Sequence, residues 1–185
     1  MCGFAGFVGE VENREQVLEN MIDTIIHRGP DSSGKFVDED AALGFRRLSI
    51  IDLSESGDQP LYNEDRSKVL VFNGEIYNYQ ELREELIQAG HTFVSNTDSE
   101  TLIHGYEQWG EELVYRLRGM YAFAIWDQKA KRLFSARDIF GIKPLYYAQM
   151  NGTLMFGSEI KSFLEHPKFD KVFNEDALGN YLSFQ

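Results

Sequence analysis

The chain has 185 residues, 43% of them apolar and 14% aromatic, which is enough for one large domain with a substantial core. A formal net charge of −12 argues against a nucleic-acid backbone or an anionic membrane surface as the main partner, since both are held by lysine and arginine. No apolar run approaches the roughly 20 residues of a transmembrane helix, no secretory leader pattern precedes the first strand, and a single cysteine leaves no internal disulfide to form. A cytoplasmic address is the expectation.

The opening Gly3-Phe4-Ala5-Gly6-Phe7-Val8-Gly9 predicts a buried strand with Cys2 at its edge. Small residues after an initiator methionine allow its removal. Cys2 would then carry a thiol and a free α-amine together, the amine with a pKa of about 7.7 to 8, suited to accepting a proton near neutrality. The alternative is a small packing residue at the start of a strand. Val17, Leu18, Met21, Ile22, Ile25 and Ile26 then recur at helical spacing, and the helix runs into His27-Arg28-Gly29-Pro30-Asp31-Ser32-Ser33-Gly34, whose composition predicts a loop.

Ala42-Leu43-Gly44-Phe45 predicts a short strand, followed by Arg46-Arg47-Leu48-Ser49-Ile50-Ile51-Asp52 and a turn over Ser54-Glu55-Ser56-Gly57-Asp58. The paired arginines either snorkel at an edge or send one guanidinium inward to grip a carboxylate by a two-pronged bond. Val69-Leu70-Val71-Phe72 is apolar on both faces, hence a strand between layers, and is expected to end at Asn73-Gly74-Glu75. An Asn-Gly pair there offers either a tight hairpin or two donors, an amide side chain and a backbone N–H, converging on an oxyanion. The helical spacing of Tyr79, Leu82, Leu86 and Ile87, closed by Gly90, counts against the hairpin and predicts strand, special turn, helix.

Thr97-Asp98-Ser99-Glu100 has the form of a capping box opening a helix whose buried face holds Leu102, Ile103 and Tyr106. Asp98 is then either a first-turn carboxylate favoured by the helix dipole or a receiver for a ligand's ammonium group. Met120 to Trp126 and Arg132 to Arg137 predict a hairpin across Asp127-Gln128-Lys129-Ala130-Lys131. Leu145 to Ala148 and Thr153 to Gly157 predict a second across Asn151-Gly152, before helices from about Ser158 and after the N-cap candidate Asn174. Two packed, mainly antiparallel sheets with helices outside fit this inventory, an α+β fold. His27, His91, His104 and His166 show no ligand spacing and no glycine-rich phosphate loop is present, so the sequence supports no metal or nucleotide site.

Taken together, Met1-Cys2-Gly3, His27-Arg28-Gly29-Pro30-Asp31, Arg47-Leu48-Ser49-Ile50-Ile51-Asp52, Phe72-Asn73-Gly74-Glu75-Ile76-Tyr77-Asn78, Thr97-Asp98-Ser99-Glu100 and Arg137-Asp138 with Gly141 and Pro144-Leu145-Tyr146 resemble the glutaminase domain of glutamine-hydrolysing asparagine synthetases. That domain is a class II (N-terminal nucleophile) glutamine amidotransferase, and the likeness covers nearly the whole chain. It implies a four-layer αββα sandwich and hydrolysis of L-glutamine through a Cys2 γ-glutamyl thioester. Asn73 and the Gly74 N–H would hold the oxyanion, Arg47 the substrate α-carboxylate, and Asp98 with the Glu75 backbone the α-ammonium. The Arg28 to Asp31 loop would border the pocket, and Arg46 receives no role.

The resemblance further implies residues 1–170 as the glutaminase domain and 171–185 as the start of a linker to a C-terminal synthetase domain, with ATP and Mg expected only there and no cofactor in this domain. It leaves room for a homodimer. Rival readings are the glutaminase half of another amidotransferase, a non-catalytic glutamine-binding or docking module, and an N-terminal-nucleophile acylase for another amide.

Overall fold

The computed structural model describes residues 2–48 and 58–183, so the expected continuation over Ser49 to Asp52 and most of the turn over Ser54 to Asp58 fall outside the described residues. The first sheet contains β1 (Gly3–Val8), β2 (Ser32–Val37), β3 (Ala41–Arg47), β8 (Tyr146–Met150) and β9 (Thr153–Gly157), in the order β2-β3-β1-β9-β8. The second is β4 (Leu61–Tyr62), β5 (Lys68–Ile76), β6 (Gly119–Asp127) and β7 (Arg132–Arg137), in that order. Every strand pairing is antiparallel.

Side-chain alternation explains how the sheets stack. Phe4, Leu43, Phe45, Val69, Val71, Ala122, Ala124, Trp126 and Phe156 face one another between the sheets. On the far side of the first sheet, Ala5, Phe7 and Ala42 pack against Val17, Leu18, Met21 and Ile22 of α1 (Arg14–Asp23). On the far side of the second, Leu70, Phe72, Ile76, Phe123 and Ile125 pack against Leu82 of α2 (Tyr79–Gln88) and Leu102, Ile103 and Tyr106 of α3 (Asp98–Trp109). The result is the expected helix, sheet, sheet, helix layering. Each large side chain buried in these three clusters contributes about 1.5–3 kcal/mol relative to exposure. Trp126 also satisfies its indole N–H, which donates to Asp38 Oδ2 at 2.7 Å.

Several expectations need correction. Ser32 to Gly34 are not loop but the start of β2, because Ser32, Ser33 and Gly34 pair with Arg47, Arg46 and Phe45 of β3. β5 does not end at Asn73: the ladder continues through Asn73↔Ala122, Gly74↔Tyr121 and Glu75↔Met120 to Ile76. Thr97 occupies the N-cap position of α3 but makes no side-chain cap, and the box does not close. Glu100 turns instead to the preceding segment, accepting from the N–H groups of Val94 and Ser95, each at 2.7 Å. α1 stops at Asp23, and Ile26, read as part of its apolar face, lies in a 3-10 turn with its side chain largely exposed. Ile87 of α2 is likewise exposed. The helix expected from Ser158 is a 3-10 segment, Ile160–Glu165.

Asn151 and Gly152 both adopt positive φ between β8 and β9, as an Asn-Gly hairpin requires. Asn174 caps α4 (Glu175–Ser183), its Oδ1 accepting from the Ala177 N–H at 3.1 Å. That helix buries none of its described side chains, with Tyr181 and Leu182 largely exposed.

Candidate active site

Strand parity decides which side chains reach the mouth between the two sheets. Cys2 stands two residues before Phe4 and Arg47 two after Phe45, so both continue the inward-facing columns of β1 and β3. Arg46 points to the opposite face, where its Nε donates to the Ile22 carbonyl at 3.2 Å and its Nη2 pairs with Asp23. The residues alone left either arginine open to an inward role, and the pleat assigns it to Arg47. On β5, Asn73 continues the inward column of Val69 and Val71. Cys2, Phe45, Arg47 and Asn73 line one cleft of ≈380 Å³ together with Leu48, Gln59, Phe72, Gly74, Thr97, Asp98, Ser99 and Lys143.

Cys2 is half-buried, with the Leu48 N–H directed at its Sγ at 3.4 Å and the Leu48 carbonyl oxygen 3.7 Å away. Its own carbonyl accepts from Arg28 Nε at 3.0 Å. Two residues on, the Phe4 N–H donates to Ser158 Oγ at 3.1 Å and its carbonyl accepts from the Ser158 N–H at 2.8 Å. The start of β1 is thus tied on three sides, and the sulfur opens on the cleft.

The donors opposite come from an unusual strand edge. In β5 the N–H groups of alternate residues point the same way. Phe72 directs its N–H away from β6 to Gln59 Oε1, 2.6 Å off, and Gln59 Nε2 returns a bond to the Phe72 carbonyl at 3.1 Å. Ile76 directs its N–H to Asp98 Oδ2 at 2.9 Å. Gly74 lies between them, beyond the end of β4, so its N–H points away from β6 in the same way, and the residue lines the cleft. Tyr121, its partner across the ladder, is consistent with this: it exchanges hydrogen bonds with Asp138 on the β7 side. Asn73 is 3% exposed, and its Nδ2 is buried with no hydrogen-bond partner among the described residues. Buried amide donors are rarely left unpaired, because each costs about 1–3 kcal/mol, so one that lines a cleft marks a place for an acceptor.

The glycine at 74 has a packing cause. A Cβ there would meet the Met120 carbonyl oxygen at 2.3 Å and Tyr121 Cα at 2.7 Å, so β6 approaches too closely for any side chain. The Asn-Gly pair predicts an accessible N–H at a turn; Gly74 lies instead within β5, past the end of β4.

Charge is divided across the cleft. The guanidinium of Arg47, a residue 8% exposed, donates from Nη1 to Asp58 Oδ1 at 2.7 Å. At the other end the Asp98 carboxyl is pushed up from its ordinary pKa mainly by burial and also by the nearby Glu75 charge, against the backbone N–H groups of Ile76 and Ser99 that favour its ionised form. Glu75 itself is exposed and does not line the cleft; its place is in β5 opposite Met120.

Two lining residues escaped the sequence reading. Gln59 acts as a side-chain extension of β4, and nothing in its local pattern marks it. Lys143 is 8% exposed, its backbone held by Asp138 Oδ2 on its N–H at 3.0 Å and by Arg137 Nε on its carbonyl at 3.0 Å. Its signal was the Arg137-Asp138 pair that folds the 138–144 loop around one carboxylate. Arg28, expected only to border the pocket, is more intimately placed, against Cys2 and Gly3.

Stacked antiparallel sheets between helical layers, with a cleft opening beside the second residue at the head of a central strand, define an N-terminal-nucleophile hydrolase fold. The solved structure of glutamine phosphoribosylpyrophosphate amidotransferase from B. subtilis complexed with ADP and GMP shares it with a TM-score of 0.74, covering 88% of this chain and 43% of that one. At 22% identity that likeness concerns the fold alone. A family model described as "Glutamine amidotransferase domain" matches residues 1–185, and the chain belongs to that family.

Among curated relatives, asparagine synthetase [glutamine-hydrolyzing] 1 of Bacillus subtilis (strain 168) is 47% identical over 190 aligned residues, covering 100% of this chain and 30% of the relative. A putative asparagine synthetase [glutamine-hydrolyzing] of Mycobacterium tuberculosis (strain ATCC 25618 / H37Rv) is 42% identical over 100% of this chain and 31% of its own length. The asparagine synthetase [glutamine-hydrolyzing] of Zea mays is 44% identical over 88% and 28%. The chain spans less than a third of each of these relatives.

Proposed function

We propose that this domain hydrolyses L-glutamine to L-glutamate and ammonia, with Cys2 as nucleophile and its own α-amine, freed by removal of Met1, as the proton carrier. The observation that carries this reading is the buried, unpartnered Nδ2 of Asn73 in the cleft that Cys2 lines.

The cysteine sulfur attacks the side-chain amide carbon of glutamine, and the carbonyl oxygen becomes an oxyanion received by Asn73 Nδ2 and the Gly74 N–H. The α-amine, having taken the thiol proton, delivers it to the departing nitrogen. Ammonia leaves and a γ-glutamyl thioester remains. Water then adds to the thioester while the amine takes its proton, the same two donors hold the second oxyanion, and collapse returns the cysteine and glutamate. Arg47 grips the α-carboxylate, and Asp98, with the Glu75 backbone, receives the α-ammonium; opposite charges at the two ends of the cleft match the zwitterion.

The ammonia serves a synthetase domain joined through residues 171–185, where ATP and Mg would act; the glutaminase domain needs no cofactor. The exposed apolar face of α4 and the threefold greater length of the relatives support that continuation. A cytoplasmic setting suits this supply of ammonia to a neighbouring domain, and among the described residues no helix is long and apolar enough to cross a membrane.

The deciding experiment measures glutamate release from glutamine by chain whose Met1 removal is verified by intact mass. Cys2→Ala should abolish release and leave the far-UV spectrum intact. Undiminished turnover in that variant rejects the nucleophile, and glutamine binding without turnover in Met1-free wild-type chain favours a sensor module instead.

A further inference from the structure

Away from the cleft, the fold gathers two histidines and a glutamate that the sequence leaves apart. His104 and Glu107 lie one turn apart on α3, and His91 comes from the segment joining α2 to α3. Glu107 Oε2 is 3.1 Å from His104 Nδ1 and 3.9 Å from His91 Nδ1, and the two imidazole centroids are 5.2 Å apart. One donor atom from each of the three residues lies within 4.8 Å of the others. Ligands about 2.0–2.1 Å from a tetrahedral zinc ion stand roughly 3.4 Å from one another, which the two Glu107 separations bracket.

The atoms facing away from this point are also occupied, as in a site whose ligands are held in place by outer partners. Asn63 Nδ2 donates to Glu107 Oε1 at 2.7 Å, His91 Nε2 meets Gln108 Oε1 at 3.1 Å, and His104 Nε2 stands 3.6 Å from Glu100 Oε1. Glu64 Oε1 is 3.8 Å from His104 Nδ1, on the ligand side. His104 is 2% exposed and Glu100 4%, so the charge there is poorly screened. Against the three carboxylates stands Lys68, 4.0 Å from Glu107 and shared with Asp127 at 3.7 Å.

We propose that His91, His104 and Glu107 bind a divalent transition-metal ion, with Zn2+ as the reference ion and the remaining coordination position open to solvent. Both histidines would bind through Nδ1 as neutral imidazoles and Glu107 through Oε2. Such an ion links α3 to the segment preceding Asp98 and stiffens the approach to the cleft.

The test uses untagged chain carrying Cys2→Ser, which removes the thiolate as a rival ligand. It is titrated with ZnCl2 by calorimetry near neutral pH, and with Co2+ to observe the visible bands of a tetrahedral site. One ion per chain, a higher melting temperature with Zn2+, and loss of affinity by roughly tenfold or more in both His91→Ala and Glu107→Gln are expected. His91 is only partly buried and Glu107→Gln preserves size, so if one variant fails to fold the other decides. Absence of Zn2+ binding, or binding that neither substitution weakens, overturns the site.

Discussion

Arg28 donates its Nε–H to the Cys2 carbonyl at 3.0 Å while its side chain lies against Gly3, where a Cβ would approach Arg28 Cδ to 2.8 Å. Its Nη1 donates to Glu159 Oε1 at 3.1 Å, and Glu159 also meets His27 Nε2 at 2.8 Å. The loop after α1 therefore holds the head of β1 through a charged chain. Arg28→Ala should lower kcat by about 10- to 100-fold, with KM changed far less, because misplacing a nucleophile by about 1 Å is enough for such a loss. Steady-state kinetics checks this, and an unchanged kcat would show that the clamp is dispensable.

Asn73→Ala should cost about 2.7–4 kcal/mol of barrier, a 10²- to 10³-fold fall in kcat. Stability should stay within about 1 kcal/mol of wild type, because the Asn73 Nδ2 has no partner to lose among the described residues. Kinetics and urea denaturation on the same preparation separate the two effects. A large stability loss with full activity would return Asn73 to a packing role.

At Gly74 the balance is reversed. Gly74→Ala drives a methyl group into the Met120 carbonyl and should destabilise the fold by about 1–3 kcal/mol. For a domain of this size, each kcal/mol corresponds to a melting shift of about 2–4 °C. An unshifted melting curve would mean that β5 and β6 can part without cost.

The two arginines of β3 should behave differently. Arg47→Ala should raise KM for glutamine by tenfold or more, on the order of the 1.5–3 kcal/mol expected of a hydrogen bond to a charged group. Arg46→Ala, losing its contacts to Ile22 and Asp23 on the opposite face, should leave KM near wild type. Equal effects of both would contradict the assignment by strand parity.

Burial raises the Asp98 pKa in the free cleft, and a bound ammonium group would favour the ionised form again. Glutamine affinity should therefore be fully expressed above that raised pKa and be lost as pH falls through it. Asp98→Asn should raise KM and flatten this acid limb. A KM profile in the variant that still follows wild type would place the titrating group elsewhere.

The hairpins of β6 with β7 and β8 with β9, the α1 face and the buried character of β5 were legible because period-two and period-3.6 patterns are local. So was the cap of α4 by Asn174, which involves only neighbours in the chain. The capping box at Thr97 failed for the opposite reason: Glu100 had better donors at Val94 and Ser95, which only the fold of the preceding segment supplies. Gln59 and Lys143 reached the cleft through strand-edge and loop contacts with no sequence period, and the His91, His104 and Glu107 group required the closure of α2 onto α3.

By itself the sequence determined the chemical inventory: a lone cysteine beside the N-terminus, an amide next to a glycine, and an arginine and an aspartate of opposite charge, each in a segment whose apolar period named its element. Tertiary structure decided which of these share a space. The pleat chose Arg47 over Arg46, the early end of β4 left Gly74 lining the cleft, and burial left Asn73 Nδ2 without a partner among the described residues. Those outcomes depend on contacts between residues far apart in the chain, which no local pattern encodes.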